Sequence, residues 1–296
     1  MADTFTAVDL SRLPAPLVVE ALSYEQIYAA MLAQLQILMP GFDATVESDP
    51  AVKLLQVAAY RELLLRARVN DAARAVMPAF ATGADLDQLA ALLGVARLEL
   101  VQANVLTGAP AVLETDEDFR RRFLLAPEGF SVAGPEGAYI YHALSASPDV
   151  LDASVTSPSP GEVLVTILPR NPDLNNAPLL ATVQAYLASE SRRPLTDHVT
   201  TQLAQIVGGE VYAEITTFAG PDSAIVLAEA RRRLGEYLAE NYRLGRDITI
   251  SGLFAALHVP GVQTVQMPDW GDDMPVSRTQ AARFTDIVLI HKGTGE

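Results

Sequence analysis

The sequence predicts an α+β protein, with an N-terminal helical arm and interface helix bundle followed by two small α+β sandwich domains. Apolar residues recur at helical spacing through roughly the first hundred residues, whereas from Val150 onward short runs alternate apolar with polar residues. A length of 296 residues, half of them hydrophobic, suits two or three domains with cores of their own. We expect these domains at residues 1–108, 109–207 and 208–296.

The charge of the chain limits its partners. Acidic residues outnumber basic ones by 36 to 21, which gives a formal net charge of -15. Nucleic acids and anionic membranes are polyanions that would repel such a chain, so we expect protein partners, no nucleic acid and no membrane. The absence of cysteine excludes disulfides, thiolate chemistry and cysteine-based metal sites. We expect no cofactor and no metal.

The first 22 residues resemble an extended arm that docks onto a partner. This segment lacks an early basic residue and is broken by Pro14 and Pro16, so it is not a secretory signal. No apolar run in the sequence reaches the ~18 residues that span a bilayer. A disordered tail would be polar, but this segment carries five large apolar residues: Leu13, Leu17, Val18, Val19 and Leu22.

A first helix is predicted from the residues that would cap it. Ser23 can accept a hydrogen bond at the start, with Gln26 three positions later as the second half of a capping box. One apolar face follows, made of Ile27, Met31, Leu35 and Leu38. Pro40 and Gly41 end the helix.

The second helix begins at Asp49 and Pro50 and ends near Pro78, and we interpret it as an interface helix. Its apolar residues cover more than one face, whereas a helix on the surface of a monomer needs only one apolar stripe. Arginines among them can lay their apolar stems along a partner. The residues predicted to contact a partner in a helix bundle are Leu54, Leu55, Val57, Ala58, Arg61, Leu64, Leu65, Arg68, Val69, Ala72 and Val76.

Three further helices are predicted before the first strand. Asp85 is expected to cap a short helix that Gly94 ends. The run Asp116 to Asp118 could suggest a metal site, but carboxylates at a helix start followed by arginines are what the helix dipole favours. Pro135 opens a helix that stops before Pro148.

Strands and helices alternate in the rest of the chain. The turn SPSPG, residues 157–161, separates two alternating runs and predicts a β-hairpin. The later predicted helices begin at Pro178, at Pro221 with Asp222, and at Ser251. The predicted strands are 150–156, 162–168, 198–206, 211–218, 262–267 and 284–291, with a turn at Gly271 to Asp273 and the final GTGE as a tail. A domain boundary is expected near Gly208.

The sequence contains none of the common catalytic motifs: no phosphate-binding loop, nucleophile elbow or HExxH. The histidines, His142, His198, His258 and His291, are too scattered for metal ligation, and we interpret them as structural. Asp85 and Asp87 fit a helix start better than a catalytic pair. The run Arg231 to Arg233 fits a solvated helix face, because Glu229 and Glu236 lie one turn away. No catalytic residue is predicted.

Several segments in a fixed order resemble the baseplate J-like wedge proteins of contractile-tailed phages and R-type tailocins. The most specific parts are residues 70–97, with ATGADLDQLAALLGV at their centre, and the Ser-Pro-x-Pro-Gly hairpin. The other segments are SDPAVKLLQVAAYRELLLRARV, DEDFRRR, DASVTSPSPGEVLVTIL, PLTDHV and ALHVPGVQTV. The resemblance covers nearly the whole chain.

The resemblance implies a structural role in place of catalysis. Two copies of such a protein join one copy of a second, baseplate I-like wedge protein in a heterotrimer that surrounds the tail hub. The implied neighbours also include the sheath initiator, with its lysozyme-like fold, and the central hub and spike proteins. The chain would be made in the bacterial cytoplasm and released in a virion or tailocin baseplate. Because contraction requires the baseplate to change shape without dissociating, we expect a hinge between the helical part and the first sandwich, at residues 105–110.

Two other function classes remain open at this stage. A tail-assembly chaperone or adaptor would expose an apolar groove on a stable monomer. A hydrolase with an unrecognised site would show a deep pocket and a titratable group with a strongly shifted pKa.

Overall fold

A computed structural model describes residues 16, 18–42, 46, 48–220 and 222–295. The chain forms two compact units that divide between Arg97 and Leu98. Most of the predicted N-terminal arm, including Leu13 and Leu17, lies outside the described residues, as does Pro221. The predicted division at 1–108, 109–207 and 208–296 stays a prediction.

The N-terminal unit is helical, with α1 at Tyr24–Leu38, α2 at Pro50–Ala75 and α3 at Gly83–Ala91. Its first two helices begin where the sequence predicts. The hydroxyl of Ser23 accepts a hydrogen bond from the backbone N–H of Gln26, and Asp49 accepts one from Ala51 at 2.7 Å. Each satisfies an N–H that has no partner inside the helix. The third helix differs, because α3 begins after Thr82 and places Asp85 inside its first turn.

The core of the N-terminal unit is small. Among the described residues, Ile27 is the buried residue of α1, and Val52, Ala59 and Asn70 are those of α2. A second group of buried apolar residues surrounds α3: Ala81, Leu86, Ala90 and Val95. Most of the apolar surface of α2 therefore contributes nothing to the core of this unit.

The C-terminal unit contains every strand that the structure describes. Its helices are α4 at Asp116–Leu125, α5 at Glu136–Ala146, α6 at Ala177–Leu187, α7 at Ser223–Glu240 and α8 at Ile250–Leu257, with one 3₁₀ turn at Glu128–Phe130. Its strands are β1 at Glu99–Val101, β2 at Val112–Leu113, β3 at Val150–Thr156, β4 at Glu162–Pro169, β5 at His198–Leu203, β6 at Gln205–Val207, β7 at Glu210–Phe218, β8 at Val262–Gln266, β9 at Gln280–Ala282 and β10 at Asp286–Gly295.

The first lobe of this unit is a three-stranded sheet covered by helices. The strand order is β3-β4-β5, with β3 and β4 antiparallel as the predicted hairpin requires and β5 parallel to β4. Helices α5 and α6 pack against the sheet. Tyr139, Val165, Ile167 and Leu187 are buried between the layers.

The second lobe repeats this plan with its own core. The strand order is β10-β7-β8, with β10 parallel to β7 and β8 antiparallel to it. Alternate residues of β7, namely Val211, Ala213 and Ile215, face Leu234 of α7 and Leu253 of α8. The lobes confirm the predicted α+β class.

Polar and backbone contacts join the two lobes. Strand β6 follows β5 directly but pairs with β9. The carboxylate of Asp118 in α4 accepts hydrogen bonds from Arg170 and Arg243, each at 2.8 Å. Asp152 of β3 binds Arg121 at 2.6 Å and accepts the backbone N–H of Leu244 at 3.0 Å. These contacts tie the lobes into one unit.

Three predictions of local structure are corrected here. The strand expected at 198–206 is two strands, because the backbone leaves β4 at Ala204 and joins β9 one residue later. The expected GTGE tail continues β10 as far as Gly295. Residues 105–110 do not link two units: they lie in or beside the loop of the β1–β2 hairpin, in which Asn104 bridges Ala109. That location does not fit the expected hinge.

Candidate assembly interface

Helix α2 presents one face to α1 and leaves the opposite face to solvent. Val52, Ala59 and Asn70 recur at intervals of seven and eleven residues, so they lie on the same side, and all three are buried. On the other side several large apolar side chains are exposed: Leu54 is 71% exposed and Leu65 66%. We call this second face the outer stripe of α2, made of Leu54, Val57, Ala58, Arg61, Leu64, Leu65, Arg68 and Ala72.

The predicted interface residues map closely onto this face. Ten of the eleven are exposed, and Leu55 is half-buried. Val69 and Val76 lie at its edge, about 70° around the helix from its centre at 100° per residue. An isolated exposed leucine is ordinary, but a contiguous exposed apolar face marks an interaction site. The structure contains no partner chain, so the contact itself stays a prediction.

Asn70 holds the chain segment before α1 against α2. Its side-chain amide donates to the carbonyl of Glu20 at 2.9 Å, and its side-chain oxygen accepts the backbone N–H of Glu20 at 3.1 Å. Arg66 adds ion pairs to Glu20 and Glu62. These contacts raise the pKa of Arg66 through hydrogen bonds to Glu62 and then Glu20. They hold Glu20 on the inner side of α2, opposite the outer stripe.

Further apolar surface of the N-terminal unit is exposed that the sequence pattern did not indicate. Tyr60 of α2 is exposed, and so are three consecutive residues at the end of α1: Ile37, Leu38 and Met39. The sequence predicts Leu38 on the same apolar face of α1 as Ile27, but Ile27 is buried and Leu38 is exposed. The signal that could have revealed this surface is the run Ile-Leu-Met immediately before Pro40, since a helix with one buried stripe does not place three large apolar residues in succession.

The candidate catalytic groups are engaged in structural contacts. His142 is buried between the rings of Tyr141 and Tyr186, and burial, followed by the charge of Arg192, lowers its pKa. Asp87 binds Arg97 at 2.7 Å. Over the ranges that the structure describes, no three His, Asp or Glu side chains converge as a metal site. None of the helices in those ranges is long and apolar enough to span a bilayer.

The arginine run on α7 forms a solvated face, as predicted. Arg232 binds both Glu229 and Glu236, and Arg233 also binds Glu229. Hydrogen bonds from Arg232 and Arg233 lower the pKa of Glu229 to about 2. Arg232 and Arg233 are therefore satisfied by carboxylates of their own helix.

Asp118 has a role that the sequence did not reveal. Its backbone N–H donates a hydrogen bond to the hydroxyl of Thr115, but its side chain is largely buried and binds arginines from two distant segments. Burial raises the pKa of Asp118, but the charges of Arg243 and Arg170 outweigh it and hold that pKa below its usual range. No local pattern could have indicated partners 52 and 125 residues away.

Comparison with known proteins gives the same family along the chain. The family descriptions Baseplate J-like N-terminal domain and Baseplate J-like central domain match residues 47–104 and 131–202. Baseplate protein J of Escherichia phage P2 is 44% identical over 299 residues, which cover 98% of this chain and 99% of that protein. A cryo-EM structure of the anti-feeding prophage baseplate overlaps 60% of this chain and 42% of its own chain, with 17% identity and a TM-score of 0.40. Because the phage protein is 44% identical to this chain over nearly the full length of both, this chain belongs to the baseplate J-like family.

Proposed function

We propose that this protein is a structural baseplate wedge subunit of a contractile phage tail or tailocin. Two copies would assemble with one copy of a second, baseplate I-like wedge protein through a three-helix bundle that contains α2. The observation that carries the proposal is the outer stripe, an exposed apolar face that runs along the helix opposite its buried side. The full-length similarity to a baseplate protein supports the same role.

The small core of the N-terminal unit supports assembly as well. Each large apolar side chain that moves from water into a packed interface contributes about 1.5–3 kcal/mol before the costs of association are counted. Leu54, Val57, Leu64 and Leu65 could together supply a substantial apolar contact to partner helices. A bundle is the arrangement that buries two opposite faces of one helix, because each face then meets a different neighbour.

The C-terminal unit fits the part of a wedge that moves as one body. Its lobes share the β6–β9 pairing and the ion pairs of Asp118. Separating them would leave arginines and a carboxylate without partners. In the proposed baseplate this unit contacts neighbouring wedges, the sheath initiator and the central hub, and it transmits the trigger for sheath contraction by changing its contacts while keeping its own shape.

Native mass spectrometry after co-expression tests the proposal. The chain is produced alone and together with the product of the open reading frame next to it in its source genome. A stable two-to-one complex that forms only on co-expression is the expected result. A chain that stays monomeric in the presence of the co-expressed protein would contradict the proposal. A transient one-to-one complex would favour the adaptor function.

A variant of the outer stripe connects that complex to α2. Leu54→Ser combined with Leu64→Ser should abolish the complex. Because both side chains are exposed in the lone chain, its melting temperature should change little. The matched control is Leu92→Ser, at an exposed leucine of the same unit that lies outside α2. This control should retain the complex.

A further inference from the structure

Two arginines lie at the centre of the outer stripe. Arg61 and Arg68 are both exposed, and each is flanked by apolar residues of the stripe. Neither has an ion-pair partner within the part of the chain that the structure describes, in contrast to Arg66 on the inner side of α2. A bundle that covers the stripe must therefore cover two positive charges.

The spacing of these arginines is that of a coiled-coil core. Leu54, Arg61 and Arg68 recur every seven residues, and Val57 and Leu64 lie three residues after the first two. This is the pattern of core positions in a heptad, in which residues seven apart fall in successive equivalent layers. The layers of Arg61 and Arg68 are about 10.5 Å apart along the helix.

Burial of these guanidinium groups in a helix bundle requires a carboxylate in the layer of each arginine. An unpaired charge inside a bundle is strongly destabilising, whereas arginine offers two parallel N–H groups to a carboxylate. Nucleic acid and anionic lipid do not fit, because the chain as a whole carries a net charge of -15 and the two arginines are set among leucines. The occupant of the stripe is therefore a helix with acidic residues.

A further copy of this chain does not supply those residues. In a parallel bundle the same layer would bring Arg61 against Arg61 and Arg68 against Arg68. On α1 and α2, Glu62 binds Arg66 and Glu25 accepts a hydrogen bond from Ser23. Asp71 is held only loosely, 3.9 Å from Arg74, but it is a single carboxylate, whereas the two arginine layers need one each. Carboxylates at this spacing must come from a different protein.

We propose that Arg61 and Arg68 select the heteromeric partner and prevent the chain from forming the bundle with itself. The partner is a helix with two carboxylates seven residues apart, one in each arginine layer. In the two-to-one assembly that this inference rests on, each carboxylate accepts hydrogen bonds from the arginines of both copies. A third copy in place of the partner would set three arginines together in each layer.

Removing the arginine charges from the full-length chain tests this selection. Arg61→Leu combined with Arg68→Leu makes the core of the stripe wholly apolar. Expressed alone, this variant should self-associate at concentrations at least ~100-fold lower than the wild type, since the repulsion is gone and apolar layers replace it. Analytical ultracentrifugation measures the oligomeric state. A variant that stays as monomeric as the wild type would overturn the proposal.

Charge reversal tests the partner. Arg61→Glu combined with Arg68→Glu should weaken the complex with the co-expressed neighbouring protein at least ~100-fold, because like charges would then meet in both layers. Changing the partner's two carboxylates at heptad spacing to lysine should restore binding. Arg74→Glu is the matched control, because Arg74 is an exposed arginine of α2 about 140° from the centre of the stripe. It should retain the complex.

The outcomes separate this inference from the proposed function. If the Leu54 and Leu64 variant loses the complex but the charge-reversed variant keeps it, the wedge function stands and the role of the arginines is refuted. If neither variant affects a complex that forms, α2 is not the interface. If no complex forms with the wild type, the proposed function itself fails.

Discussion

At the scale of single residues, Asp118 links distant segments of the C-terminal unit. Its carboxylate is 11% exposed and is the shared acceptor for Arg170 and Arg243. The first arginine follows a strand of the first lobe, and the second lies between the helices of the second lobe. One side chain thus connects three segments that are distant in sequence.

Asp118→Asn should destabilise this unit by about 3 kcal/mol, because it leaves two arginines facing a neutral amide. The pKa of Asp118 is lowered in the folded protein, so its stabilisation is fully present above the pKa of an unfolded aspartate, about 3.9. The stabilisation is lost as the pH falls through the lower pKa of the folded state. Urea unfolding at pH 7 and at pH 3 should show the variant and the wild type closer together at pH 3.

Asp173→Asn provides the control for that experiment. Asp173 also binds an arginine, Arg283, at 2.7 Å, but its carboxylate is 67% exposed. An exposed ion pair contributes little because water screens it. A loss of stability at Asp173 as large as that at Asp118 would show that burial is not the cause.

At the scale of elements, the turn between β6 and β7 leaves no room for a side chain. Gly208 has a positive φ of 136°, and a Cβ atom built there would collide with the backbone carbonyl of Arg283. The next residue, Gly209, would meet nothing within 4 Å and is not in this conformation. The two neighbouring glycines therefore differ in what they tolerate.

Gly208→Ala should lower the free energy of unfolding by about 1–3 kcal/mol, because the collision is with backbone that cannot turn aside. Gly209→Ala is the matched control and should have an effect within about 0.5 kcal/mol. Thermal melts of the two variants should show a lower melting temperature for Gly208→Ala than for Gly209→Ala. Equal melting temperatures would contradict the close approach of this turn to Arg283.

The sequence predicted most elements because their signals are local. Ser23, Asp49 and Asp222 each cap a helix by accepting a backbone N–H two or three residues later in the chain. The SPSPG turn directly joins the two strands of a hairpin. The structure differs from the prediction where such signals are absent: β9 has no predicted counterpart, and β6 lies largely within the single strand predicted at 198–206. Strands β6 and β9 have three residues each and are strands only because they pair with each other across more than seventy residues.

The outer stripe was predictable in the same local way, since an excess of apolar residues over what one face requires is visible in the sequence. Arg61 and Arg68 are among the predicted interface residues. Their spacing of one heptad from Leu54 and from each other shows that they oppose the buried face only once that face is known. Burial of Val52, Ala59 and Asn70 supplies that reference.

At the scale of the whole molecule, the contacts between lobes predict that residues 98–296 unfold in one transition. A fragment of residues 109–207 retains the first lobe but loses β9, Arg243 and the N–H of Leu244. Calorimetry should therefore show one cooperative transition for the longer fragment and no comparable transition for the shorter one. A sharp transition in the shorter fragment at the same temperature would instead support an independent domain at 109–207.

The parallel pairing of β7 with β10 has a consequence for the synthesis of the protein. A ribosome adds about 5–20 residues per second, so β7 emerges several seconds before the strand that must lie beside it. Strand β6 likewise emerges before β9, the strand with which it pairs. The second lobe, and the pairing that joins it to the first, can therefore be completed only after β9 and β10 have been made, whereas α1 and α2 are available much earlier. A nascent chain would offer its helices to a partner before its second lobe is closed, and assembly of the helices could begin on the ribosome.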